Sequence, residues 1–296
     1  MPAHSQIRLG VLMGACAYLI WGVLPLFIRA LHPVSAMGIL SHRILWSLLL
    51  LAMLALALKR WHAASAAIRT PRVALALAAS TLLIGSNWLL YIHAINSGHA
   101  LQASLGYFIN PLVNVLLGVL ILRERLGRAE TVAILLATAG VTALTIDQGM
   151  LPWLPLGLAF SFGLYGLVRK VAGIGPIEGL LIETGLLAPL ALGWLLAKPT
   201  LPSGGVAPPY WMLMASGLIT TTPMLLFAGA ANRLRLSDLG LLQYIAPTVQ
   251  MLIAIRIFGE PLLPIHLLTF GLIWSGLIIY AIATWRRGKV RPMVPE

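Results

Sequence analysis

The sequence predicts an all-α integral membrane protein with ten transmembrane helices, because of its composition, the length of its apolar segments and the placement of its basic residues. Of 296 residues, 59% are hydrophobic and 9% are charged, and the mean hydropathy is +0.93. A soluble domain needs roughly 25% charged residues to cover its surface. Lipid must therefore solvate most of the outside of this chain.

Ten apolar segments come close to the length of about 20 residues that a helix needs to cross a bilayer. The first is predicted to be a retained helix and not a cleaved signal peptide, because its apolar run passes Cys16 and continues to Ile28. Most connections are short, apart from two longer ones at 59–72 and 198–209. The predicted spans are 9–28, 35–58, 73–94, 101–122, 130–146, 153–168, 177–197, 211–230, 239–258 and 266–285.

The distribution of Lys and Arg tests this number of spans, because these residues accumulate on cytoplasmic loops. With the N-terminus inside, the outer loops hold only Arg29 and Lys198, with Arg256 near the outer end of span nine. An error of one span would destroy this alternation, so we expect ten spans with both termini cytoplasmic. The net charge of +12 arises from these clusters, and nucleic-acid binding is not expected. The basic residues of the inner segments lie at 8, 59–72, 123–128, 169–170, 233–235 and 286–291.

An internal repeat relates the two halves of the chain. Four pairs of identical residues share one offset, and Trp21-Gly22 matches Tyr165-Gly166 at a slightly different one. Chance similarity among Leu-, Ala- and Gly-rich helices is the alternative, and several matches at one offset argue against it. The pairs that share an offset of 136 are Pro111 with Pro247, Glu124 with Glu260, Asn96 with Asn232, and Gly140 with Gly276.

The repeat predicts two halves, residues 1–147 and 148–296, each with five spans. Since five is odd, the second half enters the membrane from the opposite face, which gives an inverted 5+5 repeat. Inverted repeats have two packings of similar energy that face opposite sides of the membrane, the basis of alternating access in many secondary transporters. The repeat therefore favours a carrier.

Polar side chains within the spans mark a candidate substrate cavity, because polar groups in a bilayer usually face a bundle interior. In span four, Ser104, Tyr107 and Asn114 share one helical face with Pro111. The alternative is that these side chains only tie helices together. Small residues such as Gly106 and Gly163 are predicted to let helices pack closely. The candidate substrate-binding residues are Tyr18, Trp21, Asn87, Tyr91, Ser104, Tyr107, Asn114, Tyr165, Gln243 and Gln250.

Two charged residues lie well inside predicted spans, Arg43 in span two and Glu183 in span seven. We expect them to face the same interior, either as an ion pair or linked through substrate. Alternatively, Arg43 satisfies backbone carbonyls and Glu183 stays protonated as a structural donor. If Glu183 titrates, it is the best candidate for a proton-coupling site.

No motif in the sequence predicts an enzyme or a cofactor. The chain lacks the G-x-x-x-x-G-K-[ST] nucleotide loop and the H-E-x-x-H and G-x-S-x-G motifs. The single Cys16 excludes a disulfide within one chain and a Cys-rich metal site. We therefore expect no catalytic residue, no metal and no cofactor, and partners limited to a small-molecule substrate and the lipid bilayer. Whether the protein is a monomer or a homodimer is left open.

Five stretches resemble the RarD group of the EamA family, in the drug/metabolite transporter superfamily. They are 42–47 (HRILWS), 104–114 (SLGYFINPLVN), 156–170 (LGLAFSFGLYGLVRK), 181–184 (LIET) and 233–248 (RLRLSDLGLLQYIAPT). The resemblance implies two EamA repeats, the drug/metabolite transporter fold and residence in a bacterial inner membrane. It also implies the export of a small solute such as an amino acid, a metabolite or a drug like chloramphenicol. An importer of the same fold, or a channel or interaction subunit, remains the alternative.

Overall fold

The computed structural model describes residues 3–122, 127–198, 208–231, 233–234 and 242–290. Glu124, Asn232 and the beginning of predicted span nine lie outside them. Within the described residues the backbone forms helices and no strands. In chain order these are α1 (Ala3–Ala30), α2 (Ala36–Ala57), α3 (Trp61–Arg69), α4 (Pro71–Asn96), α5 (Ala100–Leu122), α6 (Arg128–Gln148), α7 (Trp153–Ala172), α8 (Pro176–Ala197), α9 (Tyr210–Ala231), α10 (Ile245–Arg256) and α11 (Pro264–Val290).

Eight helices in the described part of the chain are long and apolar enough to cross a membrane: α1, α2, α4, α5, α6, α8, α9 and α11. They coincide with eight of the predicted spans, and the predicted all-α membrane class is confirmed. The positions of the sixth and ninth spans are occupied by α7, with 20 residues, and by the shorter apolar helix α10, with 12 residues. The total of ten spans stays a prediction.

The connection predicted at 59–72 contains the helix α3. Its alanines at positions 64 and 67, one turn apart, are buried, whereas Trp61 and Ile68 are exposed. An Ala-rich sequence with one apolar face is enough for a short helix when that face packs against the bundle. The next helix begins with Pro71, a position at which the missing N–H of proline costs nothing.

The outward faces of the long helices carry large apolar side chains. Leu75 and Leu82, two turns apart on α4, are 74% and 68% exposed, and Leu196 on α8 is 80% exposed. A water-soluble monomer rarely exposes contiguous apolar surface of this kind. These faces are suited to contact with lipid chains.

The helices α6 and α11 pack against each other in opposite directions, through two contacts that mirror each other. Gly140 lies against the backbone of Thr269, whose Oγ1 donates to the Gly140 carbonyl at 3.2 Å. Gly276 lies against the backbone of Ala133. Each of these two contacts becomes the other when 136 is added to its α6 residue and subtracted from its α11 residue. Contacts in which a patch meets its own equivalent are typical of interfaces with two-fold symmetry.

Replacing Gly276 by Ala should destabilise the protein, because the added Cβ would lie 2.9 Å from the Ala133 carbonyl oxygen. Backbone atoms of a packed helix cannot move aside cheaply, and overpacking of this kind costs about 1–3 kcal/mol. The matched control is Gly271→Ala on the same helix, where nothing lies within 4 Å of the added Cβ. Thermal unfolding in detergent should show a lower melting temperature for the first variant and an equal or higher one for the second. Equal melting temperatures would mean that α6 and α11 do not meet at Gly276.

Close helix approaches also bring together the elements around the candidate site. Gly217 of α9 lies directly against the backbone of Trp46 in α2. Gly106 of α5 lies against Pro155 of α7, and Gly163 of α7 lies against Val113 of α5. The predicted packing role of Gly106 and Gly163 is confirmed.

Candidate functional site

The side chain of Arg43 is buried where α2 meets α9 and α4. Its Nε donates to Thr220 Oγ1 at 2.6 Å, and its Cζ lies 4.8 Å from the centroid of the Trp88 ring. A cation over an aromatic face gains about 0.5–2 kcal/mol, more when it is desolvated. No carboxylate of the described residues lies within 4.0 Å of this guanidinium. Arg43 is therefore an interior cation that no acidic side chain of the described residues neutralises.

An aromatic row begins on the same helix as Trp88 and crosses three helices. The rings of Tyr91 and Tyr107 are 5.6 Å apart, those of Tyr107 and Phe162 are 6.1 Å apart, and those of Phe162 and Tyr165 are 5.9 Å apart. These centroid distances lie within the range of favourable aromatic pairs. The row joins α4, α5 and α7 and extends from near Arg43 towards α8.

One amide side chain, that of Asn87, supports this row. Asn87 accepts from Tyr107 Oη at 3.3 Å and donates to the Leu158 carbonyl at 3.1 Å and to Ser161 Oγ at 2.9 Å. By contrast, the buried hydroxyl of Tyr91 has no hydrogen-bond partner among the described residues. Leaving a buried polar atom unpaired costs about 1–3 kcal/mol, so its position needs an explanation.

At the far end of the row, Glu183 of α8 is fully buried within a cluster of donors. It accepts from Ser80 Oγ at 2.6 Å and from Tyr165 Oη at 3.2 Å, and its Oε1 lies 3.6 Å from Arg169 Nη1. Arg169 also donates to the Gly175 carbonyl at 3.0 Å. The ion-pair partner of Glu183 in the structure is thus Arg169 and not Arg43.

A second aromatic cluster lies on α1 and α9. The rings of Tyr18, Trp21 and Phe227 are 5.4–6.1 Å apart, and Gln250 Nε2 donates to the Trp21 carbonyl at 3.0 Å. Phe227 is 136 residues after Tyr91, so the same offset that relates Gly140 to Gly276 also relates members of the two aromatic groups. The ten predicted substrate-binding residues therefore fall into two groups, one on α4, α5 and α7 and one on α1, on α10 and in the turn before α10.

The remaining predicted residues lie at the edges of these groups. Ser104 Oγ donates to the Pro247 carbonyl at 2.8 Å and thereby ties α5 to α10. Asn114 is exposed on α5 and donates to Asn110 Oδ1 at 3.2 Å. Gln243 is half-buried in the turn before α10. Ser104, like Asn87 and Gln250, bonds a carbonyl of a neighbouring helix, which is what helix-tying side chains do.

An open cavity of about 220 Å³ lies at the end of the bundle where α4 and α6 finish and α7 begins. His93, His99, Gln102 and Gln148 contribute to its lining. Beside it, Glu260 closes the beginning of α5, because its two carboxylate oxygens accept from the Ala100 and Leu101 N–H groups at 2.7 Å each. Burial raises the pKa of the Glu260 carboxyl above its ordinary value, and the two N–H donors oppose that rise.

Replacing Glu260 by Gln should lower the stability by about 1 kcal/mol, the typical value of a helix N-cap. The carboxamide keeps one acceptor, but its NH₂ group would face the second N–H of α5, and the charge that favours a helix N-terminus is lost. The control is Asp147→Asn, which removes an exposed carboxylate at the same end of the bundle. The measurement is thermal unfolding in detergent, and equal melting temperatures for the two variants would contradict the capping role.

Three residues that complete the surroundings of Arg43 and Glu183 were not predicted from the sequence: Trp88, Ser80 and Thr220. Thr220 belongs to a run of three threonines in an otherwise apolar helix, and this run was a usable signal. Arg169 lies one turn from Tyr165 on the same face of α7, which also marked it as polar lining. Ser80 carried no signal, because a single serine in a membrane helix is common.

The model of the EamA-like transporter family matches residues 8–146. Protein RarD of Escherichia coli strain K12 is 44% identical over 290 residues, which are 96% of this chain and 98% of that protein. An uncharacterized transporter of Vibrio cholerae is 41% identical over 291 residues, 97% of this chain and 96% of that protein. The chloramphenicol-sensitive protein RarD of Pseudomonas aeruginosa is 28% identical over 278 residues, 91% and 92% of the two chains.

A solved crystal structure shares the overall fold. The TM-score is 0.61, at 18% sequence identity, and the match covers 91% of this chain and 96% of the other.

Proposed function

This chain belongs to the EamA-like transporter family of the drug/metabolite transporter superfamily, and we propose that it is a secondary transporter that exports a small amphipathic solute by alternating access. Relatives about 44% identical over nearly the whole chain confirm the resemblance to the RarD group. The protein is accordingly a multi-pass membrane protein of a bacterial transporter family. The proposed solute is an amino acid, a metabolite or a drug such as chloramphenicol, and no catalytic activity is part of the proposal.

The mirrored contact between α6 and α11 is the observation that carries the proposal. Gly140 meets Thr269 and Gly276 meets Ala133, so each of these two contacts is the equivalent of the other at the offset of 136, on antiparallel helices. This is the arrangement expected of two inverted halves, residues 1–147 and 148–296. Such halves have two packings of similar energy, between which a carrier alternates.

The pattern of helix packing supports the same relation. Within it, α1 packs on α9 as α7 packs on α4, and α5 packs on α7 as α10 packs on α1. The largest departure from this symmetry is that α2 packs extensively on α9, whereas the equivalent helices α8 and α4 touch much less. In the proposed cycle the asymmetry reverses: the α4–α8 contact tightens when the α2–α9 contact opens. A protein with no transport cycle would have no need of two such packings.

The two aromatic groups and the interior charges between helices form the proposed substrate path. We assign substrate contact to all ten residues predicted from the sequence, with Tyr107 at the centre because its ring joins Tyr91 to Phe162. Glu183 is the proposed proton-coupling residue, because it is buried beside Ser80, Tyr165 and the partly accessible Arg169. In proteoliposomes, proton-driven transport that is unchanged in Glu183→Gln would remove that role.

The proposal is tested first by ligand screening and then by flux. A compound that binds the folded state raises its melting temperature in proportion to occupancy, so detergent-purified protein is screened against amino acids and antibiotics. A hit should lose its shift in Tyr107→Ala and keep it in Arg256→Gln, which removes an exposed charge at the end of α10.

The hit is then used in proteoliposome counterflow. A carrier gives counterflow that saturates with solute concentration. Flux that does not saturate would favour a channel, and absence of any flux, with binding retained, would contradict the transporter proposal. When the orientation of the protein in the vesicle membrane is known, the direction of solute movement distinguishes an exporter from an importer.

A further inference from the structure

We propose that the transported solute is an organic anion, a small carboxylate with an apolar body, and that Arg43 binds its carboxylate between α2, α4 and α9. This inference rests on the proposed function and narrows its substrate class. It begins from an interior charge that no carboxylate of the described residues balances.

Arg43 is 6% exposed and has no carboxylate of the described residues within 4.0 Å. Two acidic side chains of the described residues form ion pairs with other cations, Glu183 with Arg169 and Glu178 with Arg60. A guanidinium keeps its charge in proteins, so Arg43 cannot escape the cost of burial by losing its proton. A buried charge without a partner is strongly unfavourable, and it marks a functional site when it lies within a membrane.

The geometry of Arg43 leaves the two Nη groups of its guanidinium available to a ligand. Only Nε is used, in the 2.6 Å bond to Thr220 Oγ1, and neither Nη forms a hydrogen bond to the described residues. The Trp88 ring holds the guanidinium from one side, with its centroid 4.8 Å from Cζ. A planar fork that is fixed at Nε and stacked on a ring is prepared to bind a carboxylate through two parallel hydrogen bonds.

A second donor for an anion lies next to it. The Tyr91 hydroxyl is buried and has no partner among the described residues, and Tyr91 lies one turn after Trp88 on α4, the residue whose ring contacts the Arg43 guanidinium. An oxyanion bound to Arg43 would supply the missing acceptor for this hydroxyl. One ligand thus accounts for both unpaired groups.

The aromatic row indicates the chemistry of the part of the substrate that lies beyond its carboxylate. Beyond Tyr91, the rings of Tyr107 and Phe162 continue away from Arg43 and present apolar surface. A solute with a carboxylate at one end and an aromatic or aliphatic body matches this sequence of groups. A neutral drug such as chloramphenicol would leave the guanidinium unpaired, so it is not expected to use this site.

The test compares carboxylates with their carboxamides, which have nearly the same shape and no charge. Purified full-length protein in detergent is titrated with acetate, benzoate, phenylacetate, indole-3-acetate and octanoate, each beside its amide, and with chloride at matched ionic strength. Melting temperature and Trp fluorescence report binding. At least one carboxylate with an apolar body should bind at least tenfold more tightly than its amide and more tightly than acetate. Equal binding of acid and amide, binding of chloride as tight as that of the best carboxylate, or no binding by any acid would overturn the proposal.

Variants assign the effect to Arg43. Arg43→Gln should abolish the preference for acid over amide, and Arg43→Lys should weaken carboxylate binding at least tenfold while keeping some charge preference. Thr220→Val, which removes only the Nε partner, should weaken carboxylate binding while keeping the preference for acid over amide, and this result supports the proposal even if the Gln variant does not fold. The charge control, Arg256→Gln, should bind like the unmodified protein. An unchanged preference in Arg43→Lys would overturn the assignment.

The result of this test can be distinguished from the result of the transport test of the proposed function. Carboxylate binding through Arg43 without any counterflow would sustain this inference and contradict the carrier. Saturable counterflow of a neutral or cationic solute, without a carboxylate preference, would sustain the carrier and overturn this inference.

Discussion

Glu183→Ala should lower the stability of the protein by about 3–5 kcal/mol, the usual cost of breaking a buried ion pair by removing one partner. Glu183 is fully buried, and three donors on two other helices point at it: Ser80 of α4, and Tyr165 and Arg169 of α7. Removing the carboxylate leaves all three without their acceptor. Thermal unfolding in detergent measures the loss, and Glu183→Gln should fall between the Ala variant and the unmodified protein, because its amide oxygen still accepts one bond.

The matched control for this prediction is Glu178→Ala, on the same helix. Glu178 pairs with Arg60 at 3.3 Å, but the Arg60 side chain is 59% exposed. An ion pair open to solvent on one side contributes at most about 1 kcal/mol. If the two variants lose the same stability, the cluster around Glu183 does not hold α4, α7 and α8 together as described.

Gly217→Ala should both destabilise the protein and impair the Arg43 site. An added Cβ would lie 2.5 Å from the Trp46 carbonyl carbon and 2.7 Å from its oxygen, so α2 and α9 must separate. Overpacking against a backbone costs about 1–3 kcal/mol or more. The same separation would lengthen the Arg43–Thr220 bond, since Thr220 lies one turn from Gly217 on α9.

Two readouts and one control test this second prediction. The melting temperature should fall, and binding of a solute that depends on Arg43 should weaken by more than in Gly276→Ala, whose contact lies on α6 and α11. The control is Gly193→Ala on α8, where nothing lies within 4 Å of the new Cβ. Normal binding in Gly217→Ala would show that α2 and α9 are not tightly apposed beside Arg43.

Long apolar segments made the helices predictable, because a bilayer forces each chain segment within it to satisfy its backbone hydrogen bonds internally. The short helix α3 was not predicted, since its stability comes from packing of Ala64 and Ala67 against the bundle and not from span length. The offset of 136 was visible in the sequence, and the contacts of Gly140 and Gly276 obey it. Glu124 and Asn232, two other members of the repeat, lie outside the described residues.

The candidate site was only partly predictable, because a sequence reveals which polar residues are buried and not which partners they find. Arg43 and Glu183 stood out as charges in apolar helices. Ser80 did not, and the threonine run that includes Thr220 does not show which charge it contacts, because tertiary packing brings both residues within 2.6 Å of these charges. The pairing of Glu183 with Arg169 depends on the packing of α7 against α8, which no local pattern specifies.

The proposed antiparallel relation of the two halves is tested most directly by the side of the membrane on which equivalent residues lie. Ser97 and Arg233 are 136 residues apart and both are exposed. Each is replaced by Cys in a Cys16→Ser background, and intact cells are treated with a thiol reagent that does not cross the membrane. We predict that the cysteine at 97 reacts in intact cells and that the cysteine at 233 reacts only after the membrane is permeabilised. Reaction of both from the same side would mean that the halves are parallel, which contradicts the proposed carrier.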